Sequence, residues 1–326
     1  MSVGRQCLNK ARDIVMGMCK DFGSMGVLAL CSLVVIPAFG WLDDQQTVSG
    51  AKSASIRLDV NLVQLPVTVT DDKGRSVTGL TQDVFRVLVD GKPQPITVFQ
   101  GEDAPVTAGI VLDNSASMEP KKGKVVSAAL TFARGSNPLD QMFVVHFSDH
   151  SRLGLPPETP FTGEISALEQ AISRFDLGGT TALYDALMSA QKQFQHAGYA
   201  RRVLLIITDG ADNSSSANLR DVIIEAQRAG VTLFSVGMFD ENDHSRNTPE
   251  LTQLGAETGG KAFFPGTIAD ITQVCEEIAR EIRREYTLGF PGAEDGSYHH
   301  IDVTAQDPRY GLLHVHSRPG YFAMNP

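Results

Sequence analysis

The chain has 326 residues, with 42% hydrophobic, 20% charged and 7% aromatic content, which excludes a disordered or collagen-like polypeptide and suggests about two domains. Lys and Arg total 28 against 38 Asp and Glu, so a surface built to neutralise phosphates is not expected and nucleic acid is not the anticipated partner. Of the four cysteines, Cys7, Cys19 and Cys31 crowd the amino terminus and Cys275 stands alone, a distribution that builds neither a disulfide scaffold nor a Cys-type zinc site.

Residues Met25 to Ile36 form a charge-free apolar run, preceded by Arg5, Lys10, Arg12 and Lys20 and followed by Pro37-Ala38-Phe39-Gly40. This is the pattern of an export signal, with cleavage expected near Gly40. Extension through Trp41 and Leu42 would make an uncleaved anchor of residues 1–40 instead, and Met16 or Met18 could be the true start. The expected location is therefore periplasmic, secreted or anchored by the amino terminus. Loss of residues 1–40 would leave the remainder more acidic, with Cys275 as its one thiol. That residue shares helical spacing with Ile271, Val274, Ile278 and Ile282, which predicts a small buried side chain.

After a polar linker, residues 41–55, Val63, Leu65, Val67 and Val69 alternate with Gln64, Pro66, Thr68 and Thr70, the period of a half-buried strand. Asp71-Asp72-Lys73-Gly74 reads as a turn. Phe85, Val87 and Val89 repeat the alternation, and Asp90-Gly91-Lys92-Pro93 turns the chain into Ile96 to Phe99. Residues 56–103 thus read as all-β, with too few strands for a core of their own.

From 104 to 285 the grammar changes to apolar strands alternating with amphipathic helices, which predicts a mostly parallel sheet covered on both faces. Strands are expected at Thr107–Leu112, Met142–Phe147, Val203–Thr208, Val231–Val236 and Lys261–Phe264. Helical spacing joins Ile165, Leu168, Ile172 and Phe175, then Leu183, Leu187, Ala190 and Phe194, then Leu219, Val222, Ile223 and Ala226. A final helix runs from about Ile268 to Glu285. Residues 286–323 return to β, with strands at Tyr286–Phe290, Ile301–Ala305 and Leu312–His316. Two incomplete strand sets flanking one complete unit predict an α/β domain inserted into a small all-β sandwich.

The first α/β strand runs into Asp113-Asn114-Ser115-Ala116-Ser117, of the form D-x-S-x-S. Gly178-Gly179-Thr180-Thr181 precedes a helix, and Thr208-Asp209-Gly210 ends the central strand. Ligands of an open α/β sheet bind at the carboxyl ends of its strands, where Asp113 and Asp209 fall. Hard cations take oxygen ligands, and five oxygen-bearing side chains could meet there.

In this order and on these elements the motifs resemble the metal-ion-dependent adhesion site of von Willebrand factor type A domains. The wider span from about Ile56 to Phe322 resembles the bacterial VWFA-related acidobacterial-type family. The residues carrying that likeness are Val63 to Asp71, the Asp90-Gly91-Lys92-Pro93-Gln94 hairpin, Gly259 to Phe264 and Arg318-Pro319-Gly320-Tyr321. The resemblance implies a doubly wound fold and a site for Mg²⁺ or Mn²⁺. Ser115 and Ser117 would be direct ligands and Thr181, rather than Thr180, a direct or water-mediated one. Asp113 and Asp209 would bind the cation or hold its waters. It implies no particular ligand, but with neutral hydroxyls dominating the inner shell the cation keeps much of its charge and can recruit an acidic side chain, so the expected function is a non-enzymatic module that captures a protein partner. Ala116 departs from the Gly that many relatives carry between the serines, which matters only if that backbone needs positive φ.

Other readings stay open. The D-x-S-x-S loop could cap a helix without metal. Asp212 and Asn213 could support the site or belong to an ordinary polar loop. His299-His300 and His314-Val315-His316 could share a sheet face and a zinc ion. A metal-free structural protein of the cell envelope and a metal-dependent hydrolase are the alternatives to a binding module. The chain shows no G-x-S-x-G elbow and no H-E-x-x-H helix.

Overall fold

The computed structural model describes residues 62–174, 176–239 and 248–324. The export segment, the linker and Phe175 of the expected helical stripe lie outside the described residues. The described residues all belong to one compact unit within residues 57–326.

Four strands come first: β1 (Leu62–Thr70), β2 (Phe85–Val89), β3 (Lys92–Gln94) and β4 (Val98–Gln100). The α/β part follows as β5 (Thr107–Asp113), α1 (Lys122–Gly135), β6 (Gln141–Phe147), β7 (Ser151–Leu153), α2 (Ile165–Ile172), α3 (Leu183–Gln193), β8 (Arg202–Thr208), α4 (Leu219–Ala229), β9 (Val231–Gly237), α5 (Thr248–Thr258), β10 (Ala262–Phe263) and α6 (Ile271–Arg283). Five strands close the chain: β11 (Tyr286–Pro291), β12 (Tyr298–Asp307), β13 (Gly311–Leu312), β14 (His314–His316) and β15 (Gly320–Phe322).

The central sheet has the order β10-β9-β8-β5-β6-β7. All its pairings are parallel except that of the short edge strand β7, which turns back on β6. Every residue of β5 is buried, as befits a strand flanked on both edges and covered on both faces. At Gly109 an added Cβ would meet Phe143 and Leu204 from the two neighbouring strands, so the absence of a side chain lets those large residues close over the middle of β5.

One face of this sheet packs under α1, α2 and α6 through Val125, Phe132, Leu168, Ile271, Cys275 and Ile278. The other packs under α3, α4 and α5 through Leu183, Leu187, Val222, Leu251 and Leu254. The buried positions of α6 are Ile271, Cys275, Ile278, Ala279 and Ile282. The spacing of these residues is that of one helical stripe, as expected, although the α-helix proper is shorter than Ile268–Glu285 because Ile268–Asp270 form a 3-10 turn. Likewise β10 keeps only the middle of Lys261–Phe264. Burial pushes the Cys275 thiol up to about 12.

Both chain ends contribute to two antiparallel sheets, β14-β1-β11-β4 and β13-β12-β2-β3, with β15 on β12. The alternation in β1 is realised: Val63, Leu65, Val67 and Val69 are buried, and Val63 pairs with Phe290. Their apolar faces meet in a separate core with Phe85, Val87, Tyr286, Leu288 and Ile301. The sequence pattern placed His314–His316 beside the His299 strand. In the structure β14 pairs with β1 instead, and β12 pairs with β2, β13 and β15, so the two histidine pairs fall in different sheets. No group of three or more His, Cys, Asp or Glu suited to a metal occurs among the described residues.

The chain enters and leaves the α/β part side by side. Arg201, just before β8, donates to the Ala104 carbonyl at 2.9 Å on the entering segment and to the Ile282 carbonyl at 2.7 Å on the leaving one. Arg283 pairs with Asp103 across the same stem. No helix among the described residues is long and apolar enough to cross a membrane.

Candidate functional site

In the central sheet the chain goes from β5 to β6 on one side and later returns as β8 on the other. The carboxyl ends of β5 and β8 therefore diverge at a topological switch point, the place where open α/β sheets leave a crevice. Asp113 is the last residue of β5, and Asp209 directly follows β8.

Asp113 is fully buried. Its Oδ1 accepts the Ser115 backbone N–H at 2.8 Å, which folds the chain sharply after the strand. Its Oδ2 accepts the Thr208 hydroxyl at 2.6 Å from the end of β8. Burial pushes the carboxyl up to about 6; the bonds from Thr208 and Ser115 pull it back, and the neighbouring Asp209 charge adds to the rise. Two carboxylates so close in a desolvated place favour the arrival of positive charge.

The fold after β5 continues as a 3-10 helix, Ala116–Lys121. Ser115 occupies its N-cap position but makes no side-chain capping bond, so helix capping is not what its hydroxyl does. Instead Ser115 Oγ lies 3.2 Å from Ser117 Oγ, and Ser117 donates to Asp209 Oδ1 at 2.8 Å. Ala116 is accommodated without strain, since positive φ among the described non-glycine residues is confined to Asp90 and Asp103.

The Gly178-Gly179 pair, with φ of 142° and 81°, turns the next loop toward the same place, and a side chain at Gly179 would collide with the Asp149 carboxylate. Thr180 is exposed, and its hydroxyl bonds Asp149 and Ser214. Thr181 is buried, with its hydroxyl beside Gly210 and its backbone N–H donating to Asn213 Oδ1 at 2.9 Å. Asp212 Oδ2 accepts the Tyr184 N–H at 3.0 Å. Asn213 and Asp212 thus pin the loop that presents Thr181, a part in the site that the polar-loop reading did not give them.

Thr208 and Lys121 complete the arrangement and were missed in the sequence. Lys121 donates to Asp209 Oδ2 at 2.6 Å, with its side chain 7% exposed and that of Asp209 1% exposed. The 3-10 turn containing Pro120 aims the Lys121 side chain inward.

The donor set fits a hard divalent cation. Around octahedral Mg²⁺, oxygens at 2.0–2.1 Å sit about 2.9 Å apart along each edge. The 3.2 Å and 2.8 Å separations that link Ser115, Ser117 and Asp209 are hydrogen-bond distances, and such edges need little movement of these oxygens. Ser117 is the exposed member, so the site opens to solvent on its side.

Residues 109–277 match the von Willebrand factor type A domain. No curated protein matches the sequence. Among solved structures, a von Willebrand factor type A protein from Catenulispora acidiphila is 15% identical, with 82% of this chain aligned to 75% of that one and a TM-score of 0.50. An aerotolerance-related membrane protein from Bacteroides fragilis is 16% identical over 54% of this chain and 98% of that one, with a TM-score of 0.45. Proximal thread matrix protein 1 from the mussel byssus, solved with a zinc-occupied MIDAS motif, is 15% identical over 54% and 48%, also at 0.45. With more than half its length matched by the family, the chain belongs to the von Willebrand factor type A domain proteins.

Proposed function

We propose that the protein is an exported module that captures a protein ligand through a divalent cation, Mg²⁺ or Mn²⁺. The cation would be held by Ser115, Ser117 and Thr181, with Asp113 and Asp209 binding it or its waters. A single observation carries this reading: the meeting of Ser115, Ser117 and Asp209 within hydrogen-bond distance of one another at the carboxyl ends of β5 and β8. When bound, the cation supplies a Lewis-acidic position for an anionic oxygen of the partner, which suits an acidic side chain.

The residues of the chain itself do the positioning. Thr208 and the Ser115 N–H hold Asp113 by its two oxygens, and Asn213 holds the Thr181 loop. Residues 104–285 would carry the site, and residues 56–103 with 286–323 would form one sandwich beneath it. Export rests on the basic-then-apolar pattern of residues 1–40.

The test is a thermal melt of the full chain in EDTA and in Mg²⁺ or Mn²⁺, beside Ser117→Ala. A cation at about 100 times its Kd stabilises by about 2.7 kcal/mol, or several degrees at about 2–4 °C per kcal/mol. A shift in the parent that the variant lacks supports the reading. Absence of a shift in both favours a metal-free structural role, for which the Lys121–Asp209 ion pair is the supporting observation.

A further inference from the structure

Asp209 has one oxygen bonded by Ser117 and the other by Lys121, both from the same 3-10 turn. The Lys121 ammonium also lies 3.3 Å from the Met238 carbonyl at the end of β9. It is therefore held on two sides, against a carboxylate from the β8 end and a carbonyl from the β9 end, in a place from which solvent is nearly excluded. A lysine is seldom buried unless paired, and here the partner is one of the two carboxylates facing the proposed cation.

We propose that Lys121 is a specificity-determining residue of this site, a fixed internal cation that weakens capture of a divalent metal alone and strengthens capture of a metal together with an anionic ligand. The inference rests on the reading of the site given above. Two carboxylates would neutralise a divalent cation completely. With Lys121 alongside, the loaded site keeps an excess positive charge. That charge repels the metal and attracts a carboxylate, and each effect is strong because the surroundings are poorly solvated. Metal and acidic partner are then coupled: each binds better when the other is present.

The experiment is Mn²⁺ binding to the full chain, followed by the paramagnetic resonance of free Mn²⁺, first with the metal alone and then with excess acetate. Lys121→Met, which keeps the length and removes the charge, is expected to bind Mn²⁺ roughly tenfold tighter or more, while Lys121→Arg stays near the parent. Acetate is expected to tighten Mn²⁺ binding more in the parent than in Lys121→Met. Equal or weaker Mn²⁺ affinity in Lys121→Met, or equal tightening by acetate, overturns the inference. Ser117→Ala and Asp113→Ala separate the two ideas. If they abolish binding while Lys121→Met changes nothing, the site stands and the role of Lys121 falls. If they bind as the parent does, or if the parent and all variants fail to bind, the site itself falls and the inference with it. Should Lys121→Met not fold in EDTA, Lys121→Gln takes its place with the same expected direction.

Discussion

Arg201 and Glu285 form an ion pair at 3.1 Å with side chains 2% and 3% exposed, at the stem where the chain enters and leaves the central sheet. Burial pushes the Glu285 carboxyl up to about 7, and the Arg201 guanidinium opposes that rise. Arg201→Met strands an acid in a dry place and should cost about 3–5 kcal/mol. The sign with pH follows from linkage. Without its partner the folded carboxyl is raised further, so the penalty is small at about pH 5, where the acid is neutral, and full at about pH 8. Urea unfolding at both pH values checks this. A double variant, Arg201→Met with Glu285→Leu, should recover most of the loss; failure to recover would show that the guanidinium bonds to Ala104 and Ile282 carry the stability instead.

Thr208→Val removes the hydroxyl that holds Asp113 Oδ2 while keeping the shape of the β8 end. Groups that orient metal ligands typically contribute about 10–100-fold to metal affinity. The variant should fold, as judged by far-UV circular dichroism, and lose about that factor in Mn²⁺ binding. Unchanged binding would remove Thr208 from the site.

How much of this was legible follows from how local each signal is. The alternation in β1 and the stripe of α6 report burial directly, so Val63, Leu65, Cys275 and Ile278 were placed without knowing their partners. Asp113, Ser115 and Ser117 lie within one short motif, and Asp209 ends a strand whose apolar run is unmistakable. Lys121 was hidden because no local pattern marks a lysine for burial, and only the 3-10 geometry turns it inward onto Asp209. For Asn213 both a supporting part and an ordinary polar loop stayed open, because its bond to Thr181 crosses between two loops. The pairing of β14 with β1 joins opposite ends of the chain, and no local pattern encodes such a register.

His299 sits between two carboxylates, with Nδ1 at 2.7 Å from Asp90 and Nε2 at 3.1 Å from Asp295. These bonds, Asp90 first, raise its pKa, and bonds from Ser297 and His299 hold Asp295 down to about 2. A histidine whose folded pKa is raised adds stability that is fully present below its unfolded pKa of about 6.5 and is lost as pH rises through the folded value. The difference in Tm between the parent and His299→Gln should therefore be largest at about pH 5.5 and shrink toward about pH 8.5. A difference constant across that range would refute the clamp.

Cys275 should be inert in the folded protein. Its burial keeps the thiol protonated, and the thiolate is the reactive form. Iodoacetamide labelling read by peptide mass spectrometry should leave Cys275 unmodified under native conditions and modify it in denaturant. Native labelling at a rate near that of a free thiol would mean that α6 opens readily.

Gly260→Ala tests the packing of the α5–β10 connection. An added Cβ there would overlap the Leu233 carbonyl in β9, and backbone cannot swing aside as a side chain can. A loss of about 1–3 kcal/mol or more is expected, measured by urea unfolding. A neutral outcome would mean that the turn shifts as a unit.

The antiparallel pairing of β1 with β11 also fixes an order of events during synthesis. β1 leaves the ribosome first and cannot be paired until the whole central sheet has been made and β11 has followed it. For that interval an alternating apolar strand stands without its partner, the kind of segment that joins strands of other chains. Pro66 lies in its middle and contributes no N–H to a foreign ladder, yet in the finished fold it faces Thr287 within the native register. A foreign strand laid along β1 during that wait would meet a gap in its ladder at Pro66.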